Sequence, residues 1–249
     1  MAQRGGYTST MVSVPPRLLV FDLDGTLINS SLDLCNSVNA ALAHVGKPSL
    51  PNPLIASYIG DGAAMLVRRA LGDPGDLDSR TPDNDRGDTP FHRAFDFFLS
   101  YYRVHKLDNT RVYPGVLEAL AKIRSAYPSL PMAVLTNKPV IPSREICAAL
   151  GLSSFLFQNY GGNSFATKKP DPEGLLTLIA EASALTASAV TPAETIMIGD
   201  SDVDVLTARR AGAISVGCTY GLAPHTLAAA EPDLSISAPS EWPRLLGLA

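Results

Sequence analysis

Cysteine is scarce in this chain of 249 residues: Cys35, Cys147 and Cys218 are an odd number, widely spaced. That excludes a disulfide framework or a cysteine-built zinc site, and the three read as reduced core residues. Long apolar runs are missing too. None approaches the ~20 residues that cross a bilayer, and residues 1–16 carry no apolar secretion core. The expectation is a cytoplasmic chain with no membrane partner. Positive charge is also in deficit, with 20 Lys and Arg against 24 Asp and Glu and a formal net charge of -4. Such a balance leaves no electrostatic footprint for nucleic acid, so an anionic ligand has to be held by local cations or by a metal. With 18% charged and 46% hydrophobic residues, collagen, coiled-coil and wholly disordered chains are excluded as well.

What is present is a repeating pattern. Leu18-Leu19-Val20-Phe21 is a continuous apolar run of the kind a strand buried on both faces requires. Similar runs follow at Ala133 to Leu135, Thr195 to Ile198 and Ala213 to Val216, with helical stretches at Val116 to Ala126, Glu173 to Ala182 and Val203 to Ala211. Strands alternating with helices predict an α/β fold, a doubly wound, mostly parallel, Rossmann-like sheet. Residues 1–16 read as a flexible tail, 17–28 as the first strand of the core, 29–111 as an inserted helical domain and 112–249 as the rest of the core. The insertion contains no convincing strand and is too long for a loop. Its candidate helices are Leu32 to His44, Ala63 to Leu71 and Phe91 to Val104. Between the last two, Gly72 to Pro90 holds six aspartates and three prolines and reads as a solvated loop, since the spacing does not fit a calcium loop.

The chemistry concentrates at strand ends. Asp22-Leu23-Asp24-Gly25-Thr26 follows the first run directly, where open α/β sheets bind ligands. Two carboxylates held close must share a proton or recruit a cation, and Gly25 and Thr26 suit a tight turn with N–H groups facing an anion. By itself the string also fits an N-cap followed by a turn. The run 133–135 delivers Thr136 and Asn137 to the same edge, and the run 195–198 delivers Gly199-Asp200-Ser201-Asp202-Val203-Asp204. Converging carboxylates with little positive compensation favour a hard divalent ion such as Mg²⁺, although Asp200 to Asp202 would also start an ordinary capped helix. Lys168-Lys169-Pro170-Asp171-Pro172 stands between these strands, its prolines fixing the backbone around a lysine; a solvated lysine pair before a helix is the plain alternative.

In order and spacing, Asp22/Asp24, Thr136, Lys169 and Asp200 resemble the four motifs of the haloacid dehalogenase-like hydrolases, mostly Mg²⁺-dependent phosphatases, and the resemblance spans Arg17 to about Leu222. It implies Asp22 as nucleophile, forming an aspartyl-phosphate, and Asp24 as general acid and base. Thr136 and N–H groups near Asp24 would hold phosphoryl oxygens, and Lys169 would neutralise charge. Magnesium would be held by Asp22, the Asp24 carbonyl and Asp200, with Asp204 as an outer ligand or an orienter of water and Asn137 as a further contact. An aspartate two residues after the nucleophile argues for phosphoryl transfer over halide displacement, because a halide leaves unprotonated. The insertion would be the family's cap. Gly60-Asp61-Gly62 and the helix up to Leu71 within it, with Thr136-Asn137-Lys138-Pro139 and Lys168 to Pro172 in the core, resemble the phosphoglycolate phosphatase branch, which implies a close loop approach at Gly60, Asp61 and Gly62 and an anion contact from Arg68 or Arg69. An ordinary Gly-capped helix start, with Leu66 and Ala70 packing inward and one of the two arginines solvated, fits the same residues. The expected partner is a small phosphorylated metabolite, 2-phosphoglycolate first. The alternatives are a sugar-phosphate phosphatase, a β-phosphoglucomutase-like phosphomutase, or a non-catalytic phosphate-binding regulator; a monomer and a homodimer are equally compatible.

Overall fold

The computed structural model describes residues 15–73 and 89–248. Almost all of the expected tail, and most of the acidic stretch from Gly72 to Pro90, lie outside the described residues. The chain enters as β1 (Leu18–Phe21), turns, and leaves through β2 (Ile28–Asn29) into α1 (Ser31–His44), α2 (Asn52–Ala56), α3 (Ala63–Leu71) and α4 (Pro90–His105). It returns through β3 (Arg111–Val112) to α5 (Val116–Ala126), β4 (Met132–Leu135), α6 (Val140–Ala149), β5 (Gln158–Tyr160), α7 (Glu173–Leu185), β6 (Thr195–Gly199), α8 (Asp202–Ala211), β7 (Ile214–Cys218), α9 (Pro224–Ala230), β8 (Leu234–Ile236) and α10 (Trp242–Leu245).

Six strands form one parallel sheet in the order β5-β4-β1-β6-β7-β8. β1 lies at its centre, Val20 opposite Ala133 on one side and Met197 on the other. Alternate residues of the central strands feed two cores. Leu19, Phe21, Met132, Val134, Ile196 and Ile198 join α5 and Trp242 on one face, while Leu18, Val20, Ala133, Leu135 and Met197 join α7 and α8 on the other. A strand covered on both faces needs apolar residues at every position, which is why β1 reads as an unbroken run.

Helices α1, α3 and α4 pack round a third cluster that includes Leu34, Val38, Leu66, Phe91 and Phe98. The ends of this helical segment pair as two-residue antiparallel strands, Ile28 with Val112 and Asn29 with Arg111. This corrects the reading of a strandless insertion, because two-residue strands show no periodicity. Buried Asp33 ties the same ends together by accepting from the Asn109 and Thr110 backbone N–H groups at 2.7–3.0 Å. Among the described residues no helix is long and apolar enough to cross a membrane.

Candidate active site

The carboxyl ends of β1, β4 and β6 bring Asp22, Thr136 and Asp200 to one edge of the sheet. Asp22 is the first residue after β1 and its N–H donates to the Ile198 carbonyl at 2.8 Å, which fixes it over the neighbouring strand. Carboxylate oxygens of Asp22, Asp200 and Asp204 all lie within 4.8 Å of one another. The Lys169 ammonium reaches Asp22 at 2.7 Å and Asp204 at 2.6 Å. Burial, the largest influence, pushes the Asp22 carboxyl up to about 6; Lys169 pulls it down and Asp204 pushes it up again. Burial also holds the Asp200 carboxyl well above its ordinary value, reinforced by the charges of Asp204 and Asp22. For Lys169, burial opposes the charge, but Asp204 and Asp22 more than offset it and the ammonium stays protonated.

Gly25 shapes this cluster through its conformation. Its φ is +88°, and a Cβ there would meet Asp200 Oδ2 at 2.1 Å, so the turn needs a residue without a side chain. Asp200 Oδ2 itself accepts from the N–H groups of Leu222 and Ala223 at 2.7 and 3.1 Å. Asp204 is more fully occupied: Oδ1 takes Lys169, and Oδ2 takes the Ser201 N–H at 3.1 Å and hydroxyl at 2.7 Å. Asp22 and Asp200 therefore hold the freer oxygens, and Asp204 is held in place by its neighbours.

In front of Asp22 opens a cavity of about 420 Å³. Of the residues expected at the site, Asp22, Asp24, Gly60, Gly62, Thr136 and Asn137 line it, and Asp200, Asp204 and Lys169 stand behind Asp22. Asn137 Nδ2 donates to the Gly60 and Lys169 carbonyls at 3.1 Å each, joining the helical segment to the core; its Oδ1 is buried without a hydrogen-bond partner. Gly62, with φ +92°, approaches the Asn137 carbonyl so closely that a Cβ would sit 3.2 Å from it. The rest of the wall is largely apolar, with Leu34, Leu66, Phe95, Phe98 and Leu99 facing the sheet edge.

Four expected residues are placed differently. The Gly25 N–H donates to the Ile28 carbonyl at 2.9 Å and the Thr26 N–H to Leu23 at 3.3 Å, so both are spent within the turn and neither residue lines the cavity. Asp61 is turned to Arg69 at 2.5 Å, while its carbonyl accepts from Lys168 at 2.8 Å. Arg68 lies over the Phe91 ring at 3.8 Å and pairs with Asp73 at 3.1 Å, on a separate hollow. Leu66 faces the cavity, and two residues on the helix has turned ~200°, carrying Arg68 to the opposite side.

Two side chains have no role in the sequence reading. Lys138 donates to Asp24 Oδ1 and Oδ2 at 3.1 and 3.0 Å. Ser30, fully buried, donates its hydroxyl to Asp24 Oδ1. The Asp24 carboxylate is thus tied on the cavity side, apart from the Asp22, Asp200 and Asp204 group. The string Thr136-Asn137-Lys138-Pro139 marks Lys138 by resemblance alone; its environment is set by Asp24, far back in the chain, and by Tyr102 from α4.

Oxygen donors, and three carboxylates to one ammonium, are the chemistry that suits a hard divalent cation. The family model described as haloacid dehalogenase-like hydrolase matches residues 19–218. The chain is 35% identical to a phosphoglycolate phosphatase of Chromobacterium violaceum over 225 residues, 90% of this chain and 94% of that one. It is 37% identical over 211 residues to a phosphoglycolate phosphatase of Neisseria meningitidis serogroup A, covering 84% and 83%. Among solved structures, a protein of Haemophilus somnus described as a predicted phosphoglycolate phosphatase superposes with a TM-score of 0.81 at 29% identity, covering 94% of this chain and 99% of that one.

Proposed function

The chain belongs to the haloacid dehalogenase-like hydrolases, and from that premise we propose that it is a Mg²⁺-dependent phosphatase of a small phosphate monoester, 2-phosphoglycolate first. The observation that carries this reading is the buried Asp22 at the cavity floor, 2.7 Å from Lys169 and grouped with Asp200 and Asp204. The names of the relatives support the choice of ester.

Asp22 attacks phosphorus and takes the phosphoryl group as an aspartyl-phosphate, dividing one difficult displacement into two. Asp24 protonates the leaving oxygen, then accepts the proton of the water that cleaves the intermediate. Lys169, held between Asp22 and Asp204, keeps the nucleophile's free oxygen aimed and offsets charge during transfer. Thr136, 3% exposed at the end of β4, and Asn137 offer polar atoms to phosphoryl oxygens. Asp22, Asp200 and the Asp24 carbonyl would hold the magnesium ion, with Asp204 steadying the set through Ser201 and Lys169. When bound, that ion supplies the positive charge that lets two anions, carboxylate and phosphate, approach each other.

Helices α1–α4 serve as the cap. Their apolar residues close the cavity above Asp22, where excluded water strengthens every polar contact inside.

The test is phosphate release from a panel of 2-phosphoglycolate, sugar phosphates and nucleotides, with Mg²⁺ and with chelator. The expected result is turnover that is highest for 2-phosphoglycolate and vanishes on chelation. Sugar-centred turnover would remove that substrate but keep the phosphatase; no turnover of any ester would overturn the reading.

A further inference from the structure

Lys138 and Tyr102 take no part in the steps above, yet both line the cavity. The Lys138 side chain is 4% exposed, and its ammonium lies 4.8 Å from the centre of the Tyr102 ring. Asp24 is the ion-pair partner of that ammonium among the described residues. Tyr102 is 5% exposed, and its buried hydroxyl lies beside the Lys138 ammonium, with no partner in full hydrogen-bond geometry. Burial raises this hydroxyl above its ordinary range, so it is a donor at neutral pH. A buried ammonium and a buried hydroxyl whose proton has no acceptor, set side by side in a mostly apolar wall, call for the same thing, an acceptor carrying negative charge.

Asp24 meets that demand only by using both of its oxygens, and those oxygens have work at the leaving group. The place beside Asp24 is where the leaving oxygen has to sit, so a group one or two bonds beyond that oxygen falls against Lys138 and Tyr102. The geometry points to these two residues as the subsite for a carboxylate on the leaving alcohol, which replaces Asp24 as the acceptor for Lys138 and accepts from the Tyr102 hydroxyl. One buried charge pair is exchanged for another, and Asp24, released from Lys138, takes up a proton from solvent as it turns to the leaving oxygen as the acid.

The inference rests on the phosphatase reading of the same site, and one experiment separates the two. The probes are 2-phosphoglycolate and 2-hydroxyethyl phosphate, which share a skeleton but differ in the carboxylate. Values of kcat/KM are measured for the wild type, K138M, Y102F and R103M with Mg²⁺. Arg103 is the control because it also lines the cavity, at its exposed side. The wild type is expected to prefer the carboxylate ester. K138M is expected to cut that preference by roughly 100-fold and Y102F by roughly 10-fold, the ordinary scale for losing a charged and a neutral donor. Y102F, which deletes a single oxygen, carries the test if K138M fails to fold.

An equal fall for both esters in K138M would make Lys138 a positioning residue for Asp24 alone and overturn the subsite. So would a preference unchanged in K138M and Y102F, its loss in R103M instead, or a wild type indifferent to the carboxylate while still hydrolysing both esters. A wild type that hydrolyses neither of them nor any other ester removes the phosphatase reading first and the subsite with it.

Discussion

Replacing Asp22 by asparagine should abolish turnover and, in chelator, make the protein more stable. Burial lifts the carboxyl from 3.8 to about 6 in the folded chain, and each unit is worth ~1.4 kcal/mol. The ionised Asp22 therefore costs the metal-free fold about 3 kcal/mol at neutral pH. Because the folded value lies above the unfolded one, the native state binds the extra proton, and stability is lost as pH rises from about 4 to about 6. Asparagine carries no charge to bury. At pH 7.5 D22N should unfold roughly 6–12 °C above the wild type, taking ~2–4 °C per kcal/mol for a domain of this size, and the gap should close toward pH 4. Thermal unfolding followed by circular dichroism in chelator, from pH 4 to 8, reads both quantities. Mg²⁺ at pH 7.5 should then raise the wild type, since a ligand of the folded state alone stabilises it by mass action. A D22N protein less stable than the wild type at pH 7.5, or a gap of constant size across the range, would refute the reasoning.

The remaining expectations follow from Asp24 and Gly25. D24N should slow hydrolysis of alkyl phosphates by ~10²–10⁴-fold, the usual range for a general acid, while p-nitrophenyl phosphate, whose leaving group departs unprotonated, should lose far less; equal losses in steady-state assays would count against Asp24 as the acid. G25A puts a Cβ 2.1 Å from Asp200 Oδ2 in a residue at φ +88°. It should abolish both turnover and the rise in Tm on adding Mg²⁺; a variant with normal activity would show that this turn is less constrained than its geometry says.

Much of the site was legible because function sits where the sheet makes sequence simple. The central strand β1 reads as four apolar residues, and Asp22 follows it at once. Thr136 and Asp200 follow β4 and β6 by the same logic, so three strand ends suffice to gather them. The edge strands β5, Gln158–Tyr160, and β8, Leu234–Ile236, are short and carry polar residues, so they were missed. Helix α6 starts with a proline at its third position, which local pattern reads as a break. Lys138 stands in a string read by resemblance, but its role was missed for a different reason. A lysine after Thr136 looks solvated until the fold brings Asp24 and Tyr102 against it, and neither contact has a local signal. The reading of Arg68 failed on phase, since a residue's face of a helix is fixed only once its neighbours' packing is known.

Charge explains why two groups of ionisable residues share one sheet edge without merging. In the first, Asp22, Asp200 and Asp204 face the single ammonium of Lys169, which leaves two negative charges uncompensated when all are ionised. Burial makes that excess costly, and a divalent cation is the partner of equal and opposite charge. In the second, Asp24 and Lys138 already balance. A balanced buried pair gains nothing from a further cation and can only trade one anion for another. An ester of a neutral alcohol leaves that pair as it is and must reach Asp24 past Lys138. An ester whose alcohol carries a carboxylate brings the replacement anion with it, so the charge that selects the substrate also clears the way to the acid.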